Sequence, residues 1–281
     1  MCIVLTKATK EDVERYMDFM YELALDQTRS GYPLFSDGIA TKEKFIDLAW
    51  KSYHGKSSEL LLFVLDGRVE GWIQFFYIEQ DRYLQTDGFH ISRDTGEALS
   101  EFTEYCREHF SGYDLYLGFP KKNIDATAYL RGIGSEMVEE AYHDVLIFEE
   151  YKMRPEAAGL AKVTEENYSE FRKIHITDAD TYWNADRIRE TLSDWTIYLL
   201  RRDEETVGAV YARDGEIFGL DYRNGRYEQD VYEALVTKIL NEFKRTGCEN
   251  LTFFHDEASQ AAALELGFRC VGEYVLYVKR I

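Results

Sequence analysis

Apolar positions in the first part of the chain follow two rhythms. Residues 3–6 form a short apolar run of strand length. Val13, Tyr16, Met17, Met20, Leu23 and Ala24 then recur at three- and four-residue spacing, which predicts an amphipathic helix. Thr9 is placed to cap it, and Glu11 and Asp12 fall in the first turn, where carboxylates complement the helix dipole. A loop around Ser30-Gly31-Tyr32-Pro33 leads to a second helix over about 41–53, with Phe45, Leu48 and Ala49 on one face. Apolar runs at 59–65 and 69–79 flank Asp66-Gly67, a hairpin signal, and another strand is expected near 83–91. A helix over 95–110, a strand over 113–119, a helix over 124–131 and a strand over 144–151 follow.

The pattern then starts again. A strand at 160–163 precedes Thr164, which repeats the Thr9 capping pattern, and helices are expected at about 166–174 and 185–192. Strands at 196–202, 206–213 and 216–222, a helix over 231–245, a strand over 250–255, a helix over 257–266 and a strand over 268–279 complete the chain. Residues support the repeat directly. Glu97-Ala98-Leu99 and Glu233-Ala234-Leu235 open helical segments that stay in register for 18 residues, and the hairpins upstream keep nearly the same offset. A repeat of about 135 residues indicates two similar domains rather than a solenoid. The expected fold class is α/β (α+β mixed sheet), with two tandem domains at 1–151 and 160–281, each βααβββαβαβ, joined by a linker at 152–159.

Composition narrows the partners. Net charge is −19, and no Lys/Arg run exceeds two residues, so a nucleic-acid partner is not expected. The acidity keeps a protein soluble, and it also suits cationic amine ligands. Cys2, Cys106, Cys248 and Cys270 lack paired spacing, which reads as free thiols in a reducing, cytoplasmic setting. No apolar stretch has the length of a membrane span. No metal-ligand spacing, nucleophile elbow or Walker loop is present, so no metal site is expected.

The element order, with Leu266-Gly267-Phe268 closing the last helix into the last strand, resembles the GNAT superfamily of N-acetyltransferases over the whole chain. The resemblance implies an acyl-CoA-dependent transfer to an amine of a small molecule or peptide, with acetyl-CoA or another acyl-CoA as cofactor. The family's coenzyme loop has the form R/Q-x-x-G-x-G/A, in which backbone N–H groups at a helix N-terminus bind pyrophosphate. Here Asp230 and Tyr232 stand at the two glycine positions of the second half. In the first half Asp94 stands at one, Gly96 keeps the other, and Ile91 replaces the Arg or Gln. Arg223 and Arg226, around Gly225, are positioned to bind phosphate through side chains; an ordinary solvated loop is the other reading. Leu220 and Tyr222 would offer backbone to the pantetheine arm.

The family's Asn-x-x-Ala-x-x-x-Tyr motif is met in part by Asn123 and Ala126, with Tyr129 beside the Tyr position; Tyr129 as a packing aromatic is the alternative. Candidate general bases are Asp87 and His90 in the first half, and Asp221, His255 and Asp256 in the second. The altered loops also suit a binding or scaffold protein of this fold that has lost the coenzyme site.

Overall fold

The computed structural model describes residues 3–175 and 182–281, so Cys2 lies outside the described residues. The elements run β1 (Ile3–Lys7), α1 (Lys10–Ala24), α2 (Lys42–His54), β2 (Ser58–Leu65), β3 (Arg68–Ile78), β4 (Tyr83–Ile91), α3 (Thr95–His109), β5 (Asp114–Pro120) and α4 (Ile124–Gly132). They continue β6 (Glu136–Ile147), β7 (Leu160–Lys162), α5 (Tyr168–Ile174), α6 (Ala185–Glu190), β8 (Thr196–Arg202), β9 (Glu205–Arg213), β10 (Glu216–Tyr222), α7 (Gln229–Arg245), β11 (Asn250–His255), α8 (Glu257–Leu266) and β12 (Arg269–Arg280). This is a mixed α/β fold. Thr9 and Asp12 form a reciprocal capping box at α1, and Asp66 and Gly67 take the positive φ values that a tight hairpin turn needs.

The chain forms two compact units, Met1–Glu140 with Gly272–Ile281, and Ala141–Val271. In unit 1 the strand order is β1-β2-β3-β4-β5-β12, with β12 antiparallel to β5 from Tyr274 to Arg280. In unit 2 it is β6-β11-β10-β9-β8-β7, with β6 antiparallel to β11. The closing strand of each sheet therefore comes from the other half of the sequence.

The expected linker, 152–159, lies inside unit 2 and is pinned there by the buried amide of Asn241. Its Nδ2 donates to Arg154 O (2.8 Å), and its Oδ1 accepts from Tyr151 Oη (3.0 Å) and Arg154 N (3.2 Å). Two local expectations also change. β6 begins at Glu136 rather than 144, because Glu136, Glu139 and Glu140 sit on a solvent-facing strand segment that lacks an apolar pattern. Thr164 does not cap α5; the helix starts at Tyr168, and the Thr164 N–H donates to Asn167 Oδ1 (2.7 Å).

Each sheet buries both faces, as strand alternation requires when helices cover both sides. In unit 1, Phe63, Phe75, Phe89 and Phe119 pack under α3 and α4, while Trp72 packs with Met17, Met20 and Phe45 of α1 and α2. In unit 2, Ile217, Phe253 and Leu251 pack with Tyr232, Leu235 and Ala263 of α7 and α8. Ile197, Leu199 and Ala209 pack with Phe171 and Ile188 of α5 and α6.

One irregularity recurs and opens a gap. In β4 the register against β3 shifts so that Asp87 is an extra residue, and β4 pairs with β5 only at Tyr83, Leu84 and Gln85. In β10 the register against β9 shifts at Phe218, and β10 pairs with β11 only at Glu216 and Ile217. A bulge bends a strand and ends its pairing. Beyond each bulge the two parallel strands part.

Candidate functional site

In unit 1 the gap is crossed by the chain itself. Gly31 N donates to Phe89 O of β4 (2.8 Å), Ile91 N donates to Arg29 O (3.0 Å), and Tyr32 N donates to Gly118 O of β5 (2.9 Å). Residues 29–32 thus form a strap bonded to both parted strands. Its centre is tight: a Cβ on Gly31 would stand 3.1 Å from Phe89 Cβ and 3.2 Å from Gly118 O. Asn123 locks the strap, donating from Nδ2 to Ser30 O (3.1 Å) while its Oδ1 accepts from Ala126 N and caps α4. The helix end beside this gap remains open. Asp94 holds a left-handed conformation (φ 58°) ahead of α3, and the nearest atom to a Cβ on Gly96 would be Cδ2 of half-buried Tyr129, at 4.0 Å. Arg93 is held by Glu70. On the α1/α2 face Asp87 is half-buried, and burial pushes its carboxyl up to about 6 against the opposing pull of Lys51. His90 is fully buried, which lowers its imidazole to about 3.

In unit 2 the arrangement is reversed. Among the described residues, ladder partners for β10 on the β11 side stop at Ile217, so the backbone from Gly219 to Tyr222, including Leu220, borders the gap. The helix end, however, is filled. Val231 N donates to Asp230 Oδ1 (3.1 Å), Asp230 pairs with Arg202 (2.8 Å), and the Tyr232 ring is buried beside Phe253. The turn before α7 carries Gly225 at φ 62°, closed by Gly225 N to Tyr222 O (2.8 Å). Arg223 is tied to Glu205, and Arg226 is exposed. Arg223 also borders a cavity of about 650 Å³ that Lys173 and Arg201 line as well, and Arg201 is held there by Glu170 (2.8 Å).

Two histidine–aspartate pairs border the unit 2 gap. On the α5/α6 side His175 Nδ1 lies 2.7 Å from Asp221 Oδ2, and its Nε2 lies 3.1 Å from Trp183 O. On the α7/α8 side His255 Nε2 lies 3.1 Å from Asp144 Oδ2, while Nδ1 meets Asp256 O (3.1 Å) and Ser259 Oγ (3.0 Å). Asp256 caps α8, accepting from Ser259 N (3.2 Å). The expected candidates Asp221, His255, Asp256 and Tyr222 therefore gather at one gap, whereas Tyr129, Gly96 and Asn123 belong to unit 1. Sequence reasoning missed His175, Asp144 and Tyr227. Asp144 carried a signal: a carboxylate directly before the apolar run Val145-Leu146-Ile147 is the kind of residue that is buried only when paired.

Coenzyme A needs an open anion cradle and an unpaired strand edge in the same unit. Unit 1 has the open cradle, but the strap holds its strand edge. Unit 2 has the strand edge, but a carboxylate and a tyrosine ring fill its cradle. The residues present do not fit the coenzyme in either unit.

No family model matches the sequence, and no curated protein matches it. Solved structures do. A GCN5-related N-acetyltransferase from Sphaerobacter thermophilus superimposes with a TM-score of 0.64 at 13% identity, over 99% of this chain and 95% of that one. A tandem GNAT protein from the clavulanic acid biosynthesis pathway gives 0.56 at 13% identity, over 99% and 98%. A putative acetyltransferase from Pyrococcus horikoshii gives 0.51 at 12% identity, over 99% and 89%. At these identities the likeness is one of fold: the chain has a GNAT-like architecture. No described helix is long and apolar enough to cross a membrane.

Proposed function

We propose that this chain is a duplicated GNAT-fold protein that binds a ligand in unit 2 and does not transfer acyl groups from coenzyme A. The observation that carries this reading is that the open helix end lies in unit 1 and the unpaired strand edge in unit 2. A pyrophosphate at α7 would meet the Asp230 carboxylate, already bonded to the helix N–H that an anion would use. A pantetheine arm in unit 1 would have to displace three backbone hydrogen bonds of the strap. The duplication is supported by the matching bulges on β4 and β10 and by the equivalent order of strands around them.

The second reading, an acyl-CoA-dependent N-acetyltransferase acting on a small-molecule or peptide amine, is favoured by the parted β10 and β11 with His175–Asp221 beside them. In it Asp221, through His175, is the base that accepts the amine proton. Melting of the full chain with acetyl-CoA separates the two. A ligand at about 100 times its Kd stabilises by about 2.7 kcal/mol. We expect no shift at millimolar acetyl-CoA; a saturable shift with acetyl transfer to an amine would establish the second reading instead.

A further inference from the structure

The two units treat equivalent strand edges differently. Asp87 in β4 and Phe218 in β10 are the bulged residues, and a glycine follows each, Gly88 and Gly219. Counted from the bulge, Leu220 and Tyr222 take in β10 the places of Phe89 and Ile91 in β4. Hydrogen bonds fix the same correspondence: Ser92 N donates to Glu70 O (2.8 Å), and Arg223 N donates to Val207 O (3.0 Å). In an antiparallel ladder successive residues turn their backbone groups to opposite sides. Phe89 and Ile91, and likewise Leu220 and Tyr222, therefore turn theirs away from the hairpin partner and toward the gap.

In unit 1 those groups are met by main chain. Residues 29–32 run antiparallel to β4, with Ser30 opposite His90. Gly31 N donates to Phe89 O, Ile91 N donates to Arg29 O, and Tyr32 N reaches Gly118 O on the other wall. Under this cover Phe89, His90 and Ile91 are 0% exposed.

In unit 2 no segment among the described residues crosses the gap. β10 has no ladder partner past Ile217 on the β11 side, and Leu220, Asp221 and Tyr222 are all half-buried. Tyr222 O is taken by Gly225 N (2.8 Å). Leu220 O and Tyr222 N are left as acceptor and donor at the two places that hold the strap in unit 1.

We infer that the unit 2 gap takes up an extended peptide segment of a partner protein, lying antiparallel to β10 with glycine or another small residue at its centre. The strap shows what this geometry accepts, and a bare strand edge supplies main-chain hydrogen bonds to an added strand. The N–H of the small residue donates to Leu220 O, and Tyr222 N–H donates to the carbonyl two residues earlier, as Gly31 and Arg29 are bonded in unit 1. Size is limited for the same reason as in the strap: a Cβ on Gly31 would lie 3.1 Å from Phe89 Cβ, and Leu220 brings a Cβ to the equivalent place. The inference rests on the reading that unit 2 binds a ligand other than coenzyme A, and it supplies the chemical class of that ligand. Recognition is through the peptide backbone, so no amine takes part.

A peptide with the sequence of residues 27–32, acetylated, amidated and free of lysine, tests this on the full chain. Hydrogen exchange is read at single amides by NMR. At ten times the peptide's Kd, exchange of the Tyr222 amide should slow about tenfold, while that of Ile91, already bonded to the strap, should not change. N-methylation of the peptide's glycine removes the donor to Leu220 O and should weaken binding about threefold to tenfold. Absence of binding, an effect at Ile91 without one at Tyr222, or equal affinity for the N-methylated peptide overturns the inference. A parallel titration with acetyl-CoA reads the underlying proposal separately. Coenzyme binding overturns that proposal whatever the peptide does, and peptide failure without coenzyme binding overturns the inference alone.

Discussion

Asp87 offers a prediction whose size follows from its setting. It is the extra residue of the β4 bulge, half-buried on the α1/α2 face, and burial raises its carboxyl from 3.8 to about 6. The folded value lies above the unfolded one, so the native chain holds this proton more tightly. Its contribution to stability is full below pH 3.8 and is lost as pH rises through about 6. A shift of about two pH units corresponds to roughly 3 kcal/mol. Asp87→Asn removes the charge and keeps the shape, so at pH 7 the variant should be more stable than the parent by up to ~3 kcal/mol, a figure in which the attraction of Lys51 is already counted. Below pH 3.8 the two proteins should converge. Tryptophans occur in both units, so fluorescence would mix two transitions; native-state hydrogen exchange of the slowest amides in β3 and β4 reads unit 1 alone. A variant that is less stable than the parent at pH 7, or whose difference is the same at both pH values, would refute the argument.

Other substitutions probe the strap and the pinned segment. Gly31→Val forces side-chain atoms against Phe89 Cβ and Gly118 O, so it should destabilise unit 1 by roughly 1–3 kcal/mol. Exchange of the Gly31, Tyr32 and Ile91 amides should accelerate before that of β2 and β3, and unchanged protection would show that the strap is not held as described. Asn241→Ala leaves the Tyr151 hydroxyl and the Arg154 backbone without partners, so chemical denaturation should report a loss on the order of 3 kcal/mol in unit 2.

Much of the local architecture was readable because turn chemistry and apolar runs agree. β8, β10, β11 and α8 begin and end where the sequence pattern puts them, bounded by Asp214-Gly215, Gly247 and the Leu266-Gly267 helix end. What could not be read is non-local. Nothing in the run from Glu136 to Ile147 says that it pairs with β11, and a closing strand has the same alternation whichever sheet it completes. Residues 29–32 read as a loop because their hydrogen bonds go to strands far along the chain. His175 follows a short helix with no flanking motif, and only the fold brings Asp221 to it.

The traded closing strands set an order on synthesis. The exposed edge of β5 meets its antiparallel neighbour only when Tyr274–Arg280 has been made, so unit 1 begins before unit 2 on the ribosome and is finished after it. Until then β5 presents unsatisfied backbone to anything in the cell that can add a strand. Cutting the gene at its apparent midpoint would give two fragments that each carry the other's missing piece.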